Sequence, residues 1–186
     1  MSNQGSTTYK HPGNVRIHLG LFWVTNFFGN RDQLVLKRAD EMLNEHGLAL
    51  DCWPSRTRTP QATLQFEDRL IEKEDYESLR SQVADILSTA GKSNFLPILF
   101  CQFRYTANGL TVSDTAERCW TKPMCLIGAT GSGDDVTLLH EVGHAAGMDH
   151  DRTSTDPRNR NFMNEAVVRT TMFQWQIVKM VKAFFA

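Results

Sequence analysis

The sequence predicts an α/β fold, shading into α+β, built on a twisted and mostly parallel sheet with one antiparallel edge strand and covering helices. Three observations predict it. In the first half, short apolar segments of period two alternate with longer segments of period 3.6, as strands joined by crossover helices do. Near the middle, strand-like segments follow one another without a helix, which suits an antiparallel edge strand. Past residue 147 a polar stretch leads to one closing helix, so a small irregular C-terminal part is expected.

Each element has its own signal. Residues 1–14 read as a flexible lead-in. Val15 to Thr25 places Ile17, Leu19, Leu21 and Trp23 on one face of a strand. Asp32 to His46 puts Val35, Ala39, Met42, Leu43 and His46 on one helical stripe, and Gly47 stops it. Leu48 to Trp53 is a second strand, ended by Pro54, and Ala62 to Phe66 is a candidate third. Glu74 to Ala90 is helical, with Tyr76, Leu79, Val83, Ile86, Leu87 and Ala90 inward and Gly91 as the stop. Phe95 to Phe103 reads as a buried strand, and Gly109 to Ser113 and Met124 to Gly128 as two more. Asp134 to Ala146 is a helix capped by Ser132 or Asp134. The last helix, Thr170 to Phe184, carries Phe173, Ile177, Val181 and Phe184 on its core face.

One domain is expected over residues 15–186, with an upper part 15–147 and a lower part 148–186. The chain has 186 residues and is 41% hydrophobic, enough apolar material to exclude disorder over its whole length. Twenty Lys and Arg against 21 Asp and Glu leave a net charge of -1, so there is no basic field for nucleic acid. Gly20 to Val24 and Phe95 to Cys101 are strand-length, too short to span a bilayer. Met1 to Gly13 holds no apolar signal-peptide core, so the chain either stays in the cytoplasm or is exported by a non-classical or specialised route. Cys52 and Cys101 read as reduced core thiols. Cys119 and Cys125, six apart, could pair or stay free.

The segment His140-Glu141-Val142-Gly143-His144-Ala145-Ala146-Gly147-Met148-Asp149-His150 carries chemistry. Histidines four apart on a helix project from one face toward one point, half of a tetrahedral zinc site. Gly147 can take positive φ and turn the chain, so His150 can approach from another side. Three histidines leave a fourth position for water, which marks a catalytic site. Glu141, about 100° round the helix from His140, would not ligate. It can reach the metal-bound water as general base. At this chain's composition the five fixed residues arise by chance in roughly 2 of 100,000 such chains, so coincidence is a poor explanation. His11, His18 and His46 read as tail, strand surface and helix end.

This segment resembles the extended zinc motif of the metzincin metallopeptidases. Phe162-Met163-Asn164, with Met163 at 13 residues after His150 (163 − 150), is similar to that family's methionine turn, whose thioether packs under the zinc. Thr171 and Gln174 resemble the start of its closing helix. Gly147 to Asp151 looks most like the adamalysin (reprolysin) type. The likeness is most specific over residues 140–163 and looser over 95–185.

The resemblance implies a zinc endopeptidase acting on a protein or peptide, with one Zn2+ bound by His140, His144 and His150 and with Glu141 as base. It implies an edge strand Gly109-Leu110-Thr111-Val112 that an extended substrate would join, and a substrate pocket walled by Phe162 to Val167. Departures are visible. Glu165 and Ala166 stand where a proline is usual. No tyrosine follows Met163 by two residues, so a fifth ligand is not expected. The cysteine framework of secreted adamalysins is not reproduced, and no cysteine-switch segment is seen. Cys119 could reach the zinc or be a loop cysteine. Asp149, Asp151 and Asp156 could hold Ca2+ or form a solvated loop, and Asp151 could instead orient its own loop. Gly131-Ser132-Gly133 lacks the Lys of a phosphate loop.

A monomer is expected, and a small peptidase of this kind could meet a dedicated inhibitor protein. The rival readings are an inactive zinc-stabilised binding module and a zinc amidase acting on a non-protein amide.

Overall fold

The structure is a computed structural model. It describes residues 9–24, 30–56, 64, 66, 70–102, 108–112, 123–128, 136–151, 161–164 and 169–185. The elements are β1 (Val15–Trp23), α1 (Arg31–Asn44), β2 (Leu48–Trp53), α2 (Tyr76–Thr89), β3 (Leu96–Cys101), β4 (Gly109–Val112), β5 (Met124–Gly128), α3 (Thr137–Ala145) and α4 (Gln174–Phe185). The strands form one sheet in the order β2-β1-β3-β5-β4. β1 runs parallel to β2 and β3, β3 parallel to β5, and β4 alone runs antiparallel, against β5. This is the mixed α/β sheet expected from the sequence.

The period of two divides each strand between two cores. Ile17, Leu19, Leu21 and Trp23 face α1, α3 and α4, where they meet Val35, Leu36, Leu139, Val142 and Ile177. Phe22, Leu99 and Leu126 face the other way, onto Leu79, Val83 and Leu87 of α2. β3 is buried at all six positions, as a parallel strand covered on both faces must be. Two hydrogen bonds between buried groups hold the start of α1. Trp23 Nε1 donates to Asp32 Oδ2 at 2.9 Å, and Arg31 Nε donates to the Gly128 carbonyl at 2.9 Å.

The boundaries differ from expectation in several places. Residues Tyr9 to His11 of the lead-in are held: His46, buried, bonds the Tyr9 carbonyl through Nδ1 at 2.7 Å, and His11 N–H donates to the His46 carbonyl at 2.8 Å. His46 is therefore an anchor rather than a plain helix end. The helix expected from Glu74 begins as a 3-10 turn over Lys73–Asp75, and Ala90 is exposed at the end of α2. The closing helix starts at Gln174, not Thr170, because backbone pairing of Thr171 with Asn161 and Phe162 keeps that segment extended. Cys52, Cys101 and Cys125 are free thiols, so Cys125 is unpaired.

Of the strand expected over Ala62–Phe66 only Leu64 and Phe66 are described, and neither lies in a strand. Thr25, Phe103, Ser113, Cys119, Gly131, Ser132, Gly133, Asp134, Asp156, Glu165, Ala166 and Val167 lie outside the described residues. No helix among the described residues is long and apolar enough to cross a membrane.

Leu19 and Leu34 separate the buried stripe from the surface. Leu19 is fully buried in the first core, whereas Leu34 on α1 is 42% exposed. Leu19→Ala should cost about 2–5 kcal/mol in urea unfolding. Leu34→Ala should stay within about 0.5 kcal/mol of the parent.

Candidate metal centre

α3 carries His140 and His144 one turn apart on the same face. The helix then stops in a Schellman turn. Gly147 N–H donates to the His144 carbonyl at 2.8 Å and Met148 N–H to the Gly143 carbonyl at 3.1 Å. Gly147 takes φ of 76°, a backbone state that L side chains rarely adopt. The chain doubles back and brings His150 to the other two. The Nε2 atoms of His140 and His144 are 3.1 Å apart, and that of His150 lies 3.1 Å from the first and 3.0 Å from the second.

The contact between His140 and His144 is not an ordinary hydrogen bond between neutral rings. His140 Nδ1 lies 2.8 Å from the Phe162 carbonyl, and His144 Nδ1 lies 2.7 Å from the Met148 carbonyl. A carbonyl only accepts, so each Nδ1 carries the proton and each Nε2 bears a lone pair. Burial, aided by the charge of Arg169, lowers His140 to about 3, against a small opposing effect of the Phe162 carbonyl. Burial also lowers His144. Both rings are therefore neutral at pH 7. Two lone pairs 3.1 Å apart repel, and a cation between them turns repulsion into attraction. Ligands 2.0–2.1 Å from one ion in a tetrahedron sit about 3.3 Å apart, close to what these three atoms offer. Among the described residues only His140, His144 and His150 form such a group, which could hold a metal ion. Asp149 and Asp151 join no second group among the described residues, which do not include Asp156.

The Phe162 carbonyl belongs to a β-turn, Asn161 to Asn164, closed by Asn164 N–H donating to the Asn161 carbonyl at 3.0 Å. Met163 sits in this turn, fully buried, and its carbonyl accepts from Asp151 N–H at 3.0 Å. The turn thus touches the chain beside both His140 and His150. Asp151 takes part in orienting its loop through this backbone bond. The turn packs tightly on α3 at Gly143, where an added Cβ would meet Met163 Sδ and come within 2.8 Å of Phe162 Cε2. A larger residue at position 143 would force Met163 or Phe162 to shift.

A buried amide pair fixes the turn from below. Asn161 Nδ2 donates to Gln176 Oε1 and Gln176 Nε2 donates to Asn161 Oδ1, both at 2.9 Å. Asn161 Oδ1 also accepts from Met163 N–H at 2.9 Å, and Gln176 Oε1 from Phe173 N–H at 2.8 Å. Both side chains are fully buried, so every bond replaces water that cannot enter. Gln176 ties α4 to the turn, whereas Gln174 is exposed.

Glu141 is buried beside the histidines, 5% exposed. Thr111 Oγ1 lies 2.7 Å from its Oε2 and 2.9 Å from its backbone carbonyl. Burial raises the carboxyl to about 7, although the Thr111 bond and the charge of Arg169 pull the other way. The cleft in front is lined by Gly109, Leu110 and Thr111 on one side and by Gly147, Met148 and Asp149 on the other.

His140, Glu141, His144, His150, Gly109, Leu110 and Thr111 therefore come together around one cleft. Two expected substrate residues do not. Phe162 is fully buried, so its side chain walls no pocket and only its carbonyl reaches the site. Val112 packs against the second core, and its carbonyl accepts from Arg80 Nη2 at 3.1 Å. Sequence reasoning missed Gly143, Asn161 and Gln176. Gly143 was visible only as a weak helix former between the histidines. Asn161 and Gln176, 15 residues apart, look like surface polar residues in sequence.

A scan against protein-family models finds no match for this chain, and a search of curated proteins finds none either.

The amide pair yields a test. Asn161→Ala leaves Gln176 and Met163 N–H without their buried partner, and should cost about 1–3 kcal/mol in urea unfolding of the metal-free chain. It should weaken metal binding about 10–100-fold in chelator competition, the range for lost supporting bonds. Gln176→Ala leaves the Asn161–Met163 bond in place and should weaken metal binding less. Equal weakening would mean that the Met163 N–H bond does not transmit the effect.

Proposed function

We propose that this chain is a zinc-dependent endopeptidase of metzincin type, with His140, His144 and His150 as the metal ligands. The observation that carries this reading is a buried carboxyl, Glu141, beside three converging Nε2 atoms at the floor of a cleft edged by an open strand. A purely structural metal site has no use for that carboxyl. The resemblance in residues 140–163 supports the same reading, as does a turn bearing Met163 under the histidines. When bound, zinc supplies a Lewis acid that brings the pKa of water to about 7 and polarises a carbonyl.

The chain's own residues supply the rest. Glu141 takes a proton from the attacking water and delivers it to the leaving amine nitrogen. A carboxyl pushed up to about 7 is suited to both tasks near neutral pH. The Thr111 hydroxyl has one proton and two acceptors within 2.9 Å. With Glu141 ionised, that proton is best placed on Oε2, where the bond is charge-assisted. With Glu141 protonated, the hydroxyl can turn to the backbone carbonyl and accept from the acid.

Substrate binding follows from the sheet. β4 is the last strand in the order, and no described strand pairs with its outer side. An extended peptide can add to it by backbone hydrogen bonds, a mode that favours chains over small molecules. Leu110, 38% exposed, offers an apolar contact at the rim.

Glu141→Gln tests the reading. It keeps the size but removes the base. Zinc content and Tm should stay close to the parent, and cleavage of a casein-like substrate should fall by about 10²–10⁴-fold. Cleavage at the parent rate would remove Glu141 from the chemistry.

A further inference from the structure

We infer that β4 does two jobs at once: Gly109 and Thr111 shape the position of the Glu141 carboxylate, while their backbone groups form the edge that a substrate chain would pair with. This rests on the peptidase reading above.

The register shows how one strand can do both. Gly128 N–H donates to the Asn108 carbonyl at 2.8 Å, so residues 108 and 128 form a hydrogen-bonded pair. In an antiparallel ladder such pairs alternate with pairs whose backbone groups point outward. Leu110 and Val112, opposite Leu126 and Met124, turn their backbone groups to β5. Gly109 and Thr111, opposite Ile127 and Cys125, turn theirs to the free edge. The Cα substituents of these same two residues face α3.

On that face the fit to Glu141 is close. Thr111 Oγ1 holds Oε2 at 2.7 Å. Its other neighbours are the Glu141 carbonyl at 2.9 Å, which belongs to the same residue, and Cys125 Sγ at 3.7 Å, too weak a partner to compete. At Gly109 an added Cβ would stand 2.8 Å from Glu141 Cγ, 2.8 Å from Oε1 and 2.8 Å from Thr137 Cγ2. The missing side chain therefore leaves the slot that Oε1 occupies. One carboxylate oxygen is tied and the other is given room, which favours the observed placement of the carboxyl. Thr111 and Gly109 act through Glu141 and are positioning residues. A substrate chain paired to the outer groups of Gly109 and Thr111 would stiffen the same backbone that holds the base.

The test uses the full zinc-loaded chain, with Thr111→Val, Thr111→Ser and Gly109→Ala. Zinc content should match the parent in all three. Thr111→Val should lower kcat by about tenfold or more, with KM changed by less than about threefold, as expected of a displaced catalytic group. Thr111→Ser, which keeps the hydroxyl, should recover most of kcat. Gly109→Ala should lower kcat at least as far, since its Cβ would crowd Cγ and Oε1 of Glu141 at 2.8 Å. Crystal structures give a readout free of activity: the Glu141 carboxyl should stay in the parent position in Thr111→Ser and leave it in Thr111→Val and Gly109→Ala.

Parent kcat in Thr111→Val, or equal loss in Thr111→Ser, would overturn the proposal. So would an unmoved Glu141 carboxyl in both Thr111→Val and Gly109→Ala. If the parent itself cleaves no peptide, the peptidase reading fails, and the crystal structures still decide whether β4 positions Glu141.

Discussion

The site depends on two backbone carbonyls. Phe162 and Met148 each accept the Nδ1 proton of a histidine, at 2.8 and 2.7 Å, and so turn the Nε2 lone pairs of His140 and His144 toward one point. Both oxygens are held by their surroundings among the described residues. The Met148 carbonyl is in place because α3 ends in a Schellman turn at Gly147. The Phe162 carbonyl is in place because the Asn161 to Asn164 turn lies flat on Gly143 and is tied to α4 through Asn161 and Gln176. Supporting bonds of this kind fix ring orientation and tautomer in metal sites generally.

Burial dominates the electrostatics of the site, and it moves both kinds of group toward neutrality. His140 falls to about 3 and Glu141 rises to about 7. The charge of Arg169 reinforces the first shift and opposes the second, yet burial outweighs it at Glu141. Neutral imidazoles are what a metal needs, since a ligand nitrogen must have lost its proton. A carboxyl near neutrality is what proton transfer needs. One physical cause, burial, is the largest contribution to both shifts.

What was legible in the sequence was local. His140 and His144 meet because four residues make about one helical turn, and Gly147 was readable as the point where the chain could double back. β1 showed in its alternation, β3 in a short apolar run, and the antiparallel β4 in the run of strands without helices. What escaped depends on contacts between distant residues. Asn161 and Gln176 become a pair only when α4 docks. The hydroxyl of Thr111 faces Glu141 only in this register, since a slip of one residue would turn it to the other face. Phe162 was expected in a pocket wall because its position in sequence is right, but its ring is needed in the core against Gly143. Residues 9–11 were expected to be loose because composition carries no sign of the His46 anchor.

Zinc content combined with X-ray absorption at the zinc edge tests the central claim most directly. The account predicts about one zinc per purified chain, with three imidazole nitrogens at about 2.0–2.1 Å and a lighter oxygen neighbour. His150→Ala should lose most of that metal. A chain that takes up no zinc when supplied with it, a shell containing sulfur, or full zinc occupancy in His150→Ala would contradict the account.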